Sequence, residues 1–188
     1  MPIEVWSTIA AFGTFIVIGA TAVAAAVQLR HLRESNQLEG LLTVFARVED
    51  PKLNYWVDET RDLIKEKMPD ADYRRRIRDN TIEREDNPWI NLANSYEWVG
   101  SLVRNKLIPE GAFMDIYADR VCQVWQLLEP VIGIIRRTNI AAGENFEYLV
   151  VRAELYNARY PDGVYPKNMP RKKVPDRWLE ADTALGQV

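Results

Sequence analysis

Val5–Leu29 reads VWSTIAAFGTFIVIGATAVAAAVQL and contains no charged side chain. A helix rises ~1.5 Å per residue and a bilayer core is ~30 Å thick, so about 20 apolar residues cross it. The run is long enough with some tilt, and it lies beside the N-terminus. It predicts one membrane-spanning helix followed by one modest domain.

A secretory signal needs a positive segment ahead of a short apolar core. Met1–Val5 holds Glu4 and no Lys or Arg, and the apolar run exceeds a usual signal core. Ala24-Ala25-Ala26 has the small residues of a cleavage site, but the other features favour a permanent anchor. Orientation follows the flanking cations. The first is Arg30, then Arg33, with His31 between them. The positive flank is C-terminal, which places the N-terminus outside and the domain in the cytoplasm.

All 24 Lys and Arg lie from Arg30 onward, against 26 of the 27 Asp and Glu. That near-neutral balance offers no electrostatic footprint for nucleic acid. The single cysteine, Cys122, forms no internal disulfide and no zinc site by itself. The remaining length suits one core.

Apolar spacing of three and four continues past the span through Leu29, Leu32, Leu38, Leu41, Leu42, Phe45 and Val48. This predicts one long helix leaving the bilayer with an amphipathic second half. Asp50-Pro51 resembles an N-cap followed by proline at the first helical position, opening a helix to about Lys67. Residues 69–87 mix both charges and read as a solvated short helix or loop. Asn87-Pro88 repeats the cap-and-proline pattern before a helix reaching about Lys106. A further helix runs from about Glu110 to Leu128, and Pro130 predicts a kink or break before a last turn or two to Arg137. Gly143 precedes a helix over Glu144–Arg159. Pro161, Pro166, Pro170 and Pro175 then mark an extended tail.

The expected fold is all-α. It comprises a transmembrane anchor over residues 1–30, a helical domain over 31–160 and a Pro-rich tail over 161–188.

Chemistry-bearing patterns are few. One histidine excludes the paired Glu-x-x-His motif of di-iron bundles. His31 reads as part of the positive flank and Cys122 as a small residue at the core boundary. No phosphate-cradling glycine loop and no GxSxG occurs. No cofactor, metal or catalytic residue is expected.

Glu97 lies in the aromatic segment Tyr96-Glu97-Trp98. A buried carboxylate there would need a cation, with Arg136, Arg137 or Arg152 as candidates for an ion pair. Trp6 suits the outer membrane interface; Trp56, Trp89, Trp98 and Trp125 suit a core or an interface. In the anchor, Gly13, Ala20, Ala24 and Gln28 share one side. Small residues let helices approach closely in lipid, and an amide bonds across them. In the tail, Trp178 is the expected docking anchor.

The span ending Val27-Gln28-Leu29-Arg30, the long helix to Asp50-Pro51, the segment Tyr96-Glu97-Trp98-Val99-Gly100, the Trp125 helix and Arg136 after Pro130 together resemble a bacterial family of uncharacterised proteins. The likeness covers roughly residues 5–158. Its members carry one N-terminal membrane span and a small helical domain of unknown function. The resemblance implies an inner-membrane protein and supplies no activity.

Three functions compete. The first is a membrane-anchored helical interaction protein, an accessory or scaffold subunit whose partners are membrane lipid and another membrane protein or a second copy of itself. The second is a membrane-tethered sensor or regulator with a ligand pocket between the later helices. The third is an enzyme working with carboxylates and arginines alone. A pocket above ~300 Å³ lined by Glu97 and arginines would favour the second or third.

Overall fold

The computed structural model describes residues 3–184. Those residues form helices and loops with no strand, as the apolar periodicity predicts. Helix α1 (Ile3–Val48) is unbroken through 46 residues, roughly 70 Å at the usual rise. The expected boundary at residue 30 therefore coincides with no break or hinge in the rod. From Ala11 to Asn36 every residue is exposed. Only the last third touches the bundle, through Leu41, Val44, Val48 and half-buried Phe45.

Asp50 caps α2 (Pro51–Lys67) by accepting from the Lys52 N–H at 2.9 Å, with Pro51 at the first helical position. The charged stretch after it contains a short helix, α3 (Ala71–Arg78), capped in the same way by Asp70. Its Tyr73 and Ile77 turn inward. Helix α4 spans Pro88–Arg104. Helix α5 runs without interruption over Glu110–Ile135.

Pro130 lies inside α5, so of the kink or break that the sequence allowed, the break does not occur. Proline removes one donor, and the carbonyl of Gln126 loses its partner. Both Gln126 and Pro130 face solvent, so water can serve that carbonyl. On the other side Leu128, Val131, Ile132 and Ile134 are buried and hold the helix to the core.

Helix α6 (Glu144–Arg159) packs across α4 and α5, α2 lies on α4, and α3 lies on α5. The core is centred on Tyr96, Phe113, Leu128 and Phe146. Gly100 sits where α4 and α6 come closest: a Cβ there would stand 2.1 Å from the Asn145 carbonyl oxygen. Among the described residues the tail is exposed, apart from half-buried Asp182 in a final short helix, α7 (Leu179–Ala184).

Contacts at two levels orient the bundle on the rod. Gln37 Nε2 donates to the Lys106 carbonyl at 3.4 Å, and Gly40 faces Ile108. Further along, Arg47 lies over the Trp98 ring at 5.1 Å, and Glu49 meets Tyr117. Helix α5 therefore follows the direction of α1, and α4 opposes it. The turn between α4 and α5 is the end of the bundle nearest the apolar half of α1.

Candidate functional site

The most distinctive surface is the free face of α1. Gly13, Ala20, Ala24 and Gln28 are all exposed, and a Cβ on Gly13 would meet nothing within 4 Å. At 3.6 residues per turn they fall in a sector of roughly 80°, and exposed Leu38 and Leu42 fall in the same sector. Gly40, Leu41, Val44 and Val48, which face the bundle, centre roughly 130° away. The small-residue face is thus distinct from the face the protein uses for its own packing. The side chain of Trp6 lies outside the described residues.

Glu97 is not in an ion pair with Arg136 or Arg152. Its Oε1 accepts from the Asn145 backbone N–H at 3.2 Å and from Asn145 Nδ2 at 2.8 Å, and its Oε2 accepts from the Phe146 N–H at 2.9 Å. Those backbone groups are open donors of the first turn of α6, whose N-cap is Gly143 in the left-handed region at φ 70°. A glycine has no side chain to cap with, so α4 supplies the cap from another element. These N–H groups and the positive end of the α6 dipole satisfy the carboxylate oxygens without a cation. Arg136 instead bonds Glu147 at 2.8 Å and the Ala142 carbonyl at 2.9 Å, and Arg152 bonds Glu110. Arg137 has no ion pair among the described residues.

Asn87 likewise departs from the capping pattern. Buried at 4 % exposure, its Oδ1 accepts from the Tyr73 hydroxyl at 2.6 Å and from Trp89 Nε1 at 3.2 Å, and its amide donates to the Glu83 carbonyl at 2.6 Å. It stitches α3 to α4. No sequence signal pointed to this, because Asn before Pro is so common a cap.

A second polar cluster lies under the end of α1. The Tyr117 hydroxyl bonds Glu49, and Arg120 bonds Asn54. Burial, then the Glu49 carboxylate, pushes the Tyr117 hydroxyl up to about 12. Tyr96, 1 % exposed, has a hydroxyl with no hydrogen-bond partner among the described residues; burial raises it against the opposing pull of Arg120.

Between α4, α5 and α6 lies a cavity of about 240 Å³. Trp89, Ile90, Leu128 and Phe146 line it with Asn94 and Glu97, and no arginine does. Its one carboxylate is committed to α6. Two larger clefts of about 340 Å³ lie elsewhere, one beside Glu110, Arg152 and Arg159 and one beside Arg136, Glu147 and Glu154, neither of them lined by Glu97. The Cys122 thiol is half-buried; burial first, then Glu154 and Asp119, hold it above its ordinary range. That disfavours the thiolate a nucleophile requires.

Trp178 does not dock on the bundle: it is 72 % exposed, just before α7. The tail bonds instead to itself, Arg171 to the Asp162 carbonyl at 2.9 Å and Tyr165 to the Pro170 carbonyl at 3.1 Å. Trp89 is buried, Trp56 and Trp125 are half-buried, and Trp98 is partly exposed beneath Arg47.

A helix long and apolar enough to cross a membrane, joined without a break to a small helical bundle, defines a class of all-α proteins with a single candidate span. Residues 15–153 match DUF4760, a domain of unknown function, and the chain belongs to that family. The match begins inside the apolar run and ends within α6, leaving out the Pro-rich tail. No curated protein and no solved structure matches the chain.

Proposed function

We propose that this chain is a membrane-anchored helical interaction protein, an accessory or scaffold subunit of a membrane protein complex in the bacterial inner membrane. Helix α1 spans the bilayer with its N-terminus outside, and the bundle stands in the cytoplasm. The protein works by packing and performs no catalysis. Its partner in the membrane is another span or a second copy of itself.

The observation that carries this reading is the free face of α1. Gly13, Ala20, Ala24 and Gln28 are exposed, and that face plays no part in seating the bundle. In lipid, helices gain little from apolarity and associate through close approach and polar contacts. This face offers both.

Ala20→Leu with Ala24→Leu keeps the span apolar while blocking close approach. The double variant should insert normally and lose its co-purifying partner in mild detergent, or its self-association. Unchanged association would leave the small residues as filler and move the contact to the bundle.

A further inference from the structure

We propose that the turn joining α4 to α5, at Lys106 and Leu107, rests on the headgroup layer of the bilayer crossed by α1. The turn is thus a second lipid contact that sets the posture of the bundle. This rests on the reading of α1 as a span.

The first argument is distance. Leu29 ends the uncharged run, and Gln37, eight residues on, bonds the Lys106 carbonyl. Eight residues of unbroken helix rise ~12 Å. The headgroup layer is roughly 5–8 Å thick on each side. An upright α1 therefore holds the turn within a few ångströms of the headgroups. The uncharged run is longer than the ~30 Å core requires, and any tilt that takes up the excess lowers one side of the bundle further.

The second argument is chemistry. The Lys106 N–H bonds the Val103 carbonyl at 3.0 Å and the Leu107 N–H bonds the Leu102 carbonyl at 2.9 Å, closing α4 with Lys106 in the left-handed region at φ 57°. That is the helix-ending position where glycine costs least. Here it carries an exposed lysine, followed by a leucine 56 % exposed. The next residue, Ile108, is buried against Gly40. The turn thus has an inward anchor and an outward pair of one cation and one apolar side chain.

The neighbouring charges agree. Glu34 pairs with Arg30, Glu144 with Arg104 and Glu110 with Arg152. Among the described residues Arg33 and Lys106 have no ion pair, and of the carboxylates nearby only Glu39 on α1 is likewise unpaired, so a small positive excess remains on this end. Anionic headgroups attract such cations within a Debye length, ~10 Å. The lipid surface is the one partner whose distance α1 itself fixes.

The test uses the full chain in vesicles containing anionic lipid, with Cys122→Ala and a nitroxide at Leu107→Cys. Accessibility to oxygen and to an aqueous nickel chelate is read by spin relaxation. Labels at Phe12→Cys and Asn80→Cys report the span and the far end of the bundle. The label at 107 should be about threefold less accessible to the chelate than the label at 80, and the difference should shrink in zwitterionic vesicles. Lys106→Gly relaxes the turn without unfolding it and should bring the label at 107 toward that at 80.

Equal chelate access at 107 and 80, with position 12 in lipid, would overturn the turn contact and leave the span standing. A water-exposed position 12 would overturn both. Protection at 107 that persists in lipid-free detergent and fades on dilution would place a second copy there and overturn the lipid contact.

Discussion

The Tyr117 hydroxyl donates to a Glu49 carboxylate oxygen at 2.7 Å, joining the residue just past the long rod to the N-terminal third of α5. The two residues are 68 positions apart, and Phe45 packs on the same tyrosine ring at 5.4 Å. Protonated Tyr117 is the form this contact uses. Burial and Glu49 raise it to about 12, whereas an unfolded tyrosine titrates near ~10. A raised value in the fold means that the contribution is complete below pH ~10 and is lost as pH climbs toward 12. Tyr117→Phe should lower stability at neutral pH by about 1 kcal/mol and flatten the alkaline decline in that window. Denaturant titrations at several pH values check both. An unaltered alkaline slope would assign the decline to other groups.

Glu97 is expected to matter through α6. Glu97→Ala leaves the Asn145 and Phe146 N–H groups without their acceptor, at a cost of roughly 2 kcal/mol. Glu97→Gln should cost about half as much, because a neutral amide oxygen still accepts. Hydrogen exchange should show the loss concentrated in the first turn of α6. Full retention of protection there would refute the capping role.

Gly100→Ala and Gly133→Ala should have opposite signs. A Cβ at Gly100 would collide with the Asn145 backbone, whereas one at Gly133 meets nothing within 4 Å. The first should destabilise by about 3 kcal/mol, and the second should stabilise by roughly 0.5–1 kcal/mol. Paired melting curves decide the matter.

Asn87 separates two readings of one motif. If it merely capped α4, Asp or Ser would replace it cheaply. Because it serves Tyr73 and Trp89 in a buried site, Asn87→Ala should cost about 2 kcal/mol, and Asn87→Ser should recover little of it. Recovery with Ser would restore the capping account.

Topology is checked with an impermeant thiol reagent on intact cells carrying Cys122→Ala. A cysteine at Ile3 should react from outside, and one at Val174, 83 % exposed, only after lysis. The reverse pattern would sink the cytoplasmic assignment.

Sequence alone revealed the elements wherever apolar spacing and local caps agree. Asp50-Pro51 opened α2 as expected, and the leucine spacing beyond Arg30 carried α1 to Val48. What stayed hidden depends on groups that have no letter. Glu97 was noticed as a carboxylate among aromatics, but its partners are backbone donors 48 and 49 residues away. Pro130 left a break open beside a kink because its buried neighbours could not be weighed against one missing donor. Leu38 and Leu42 belong to the apolar stripe read from the spacing, yet the bundle covers the other side of α1.

The segment between Arg30 and Glu39 is continuous helix with no glycine or proline. Residue number there is consequently an angle as well as a length. One added residue would swing the bundle by ~100° about the axis and lift it ~1.5 Å, whereas seven would return nearly the original bearing ~10 Å higher. The compass heading of the bundle is thus geared to that of the small-residue face on Ala20 and Ala24. A neighbour that grips one of them also chooses which side of the bundle it meets.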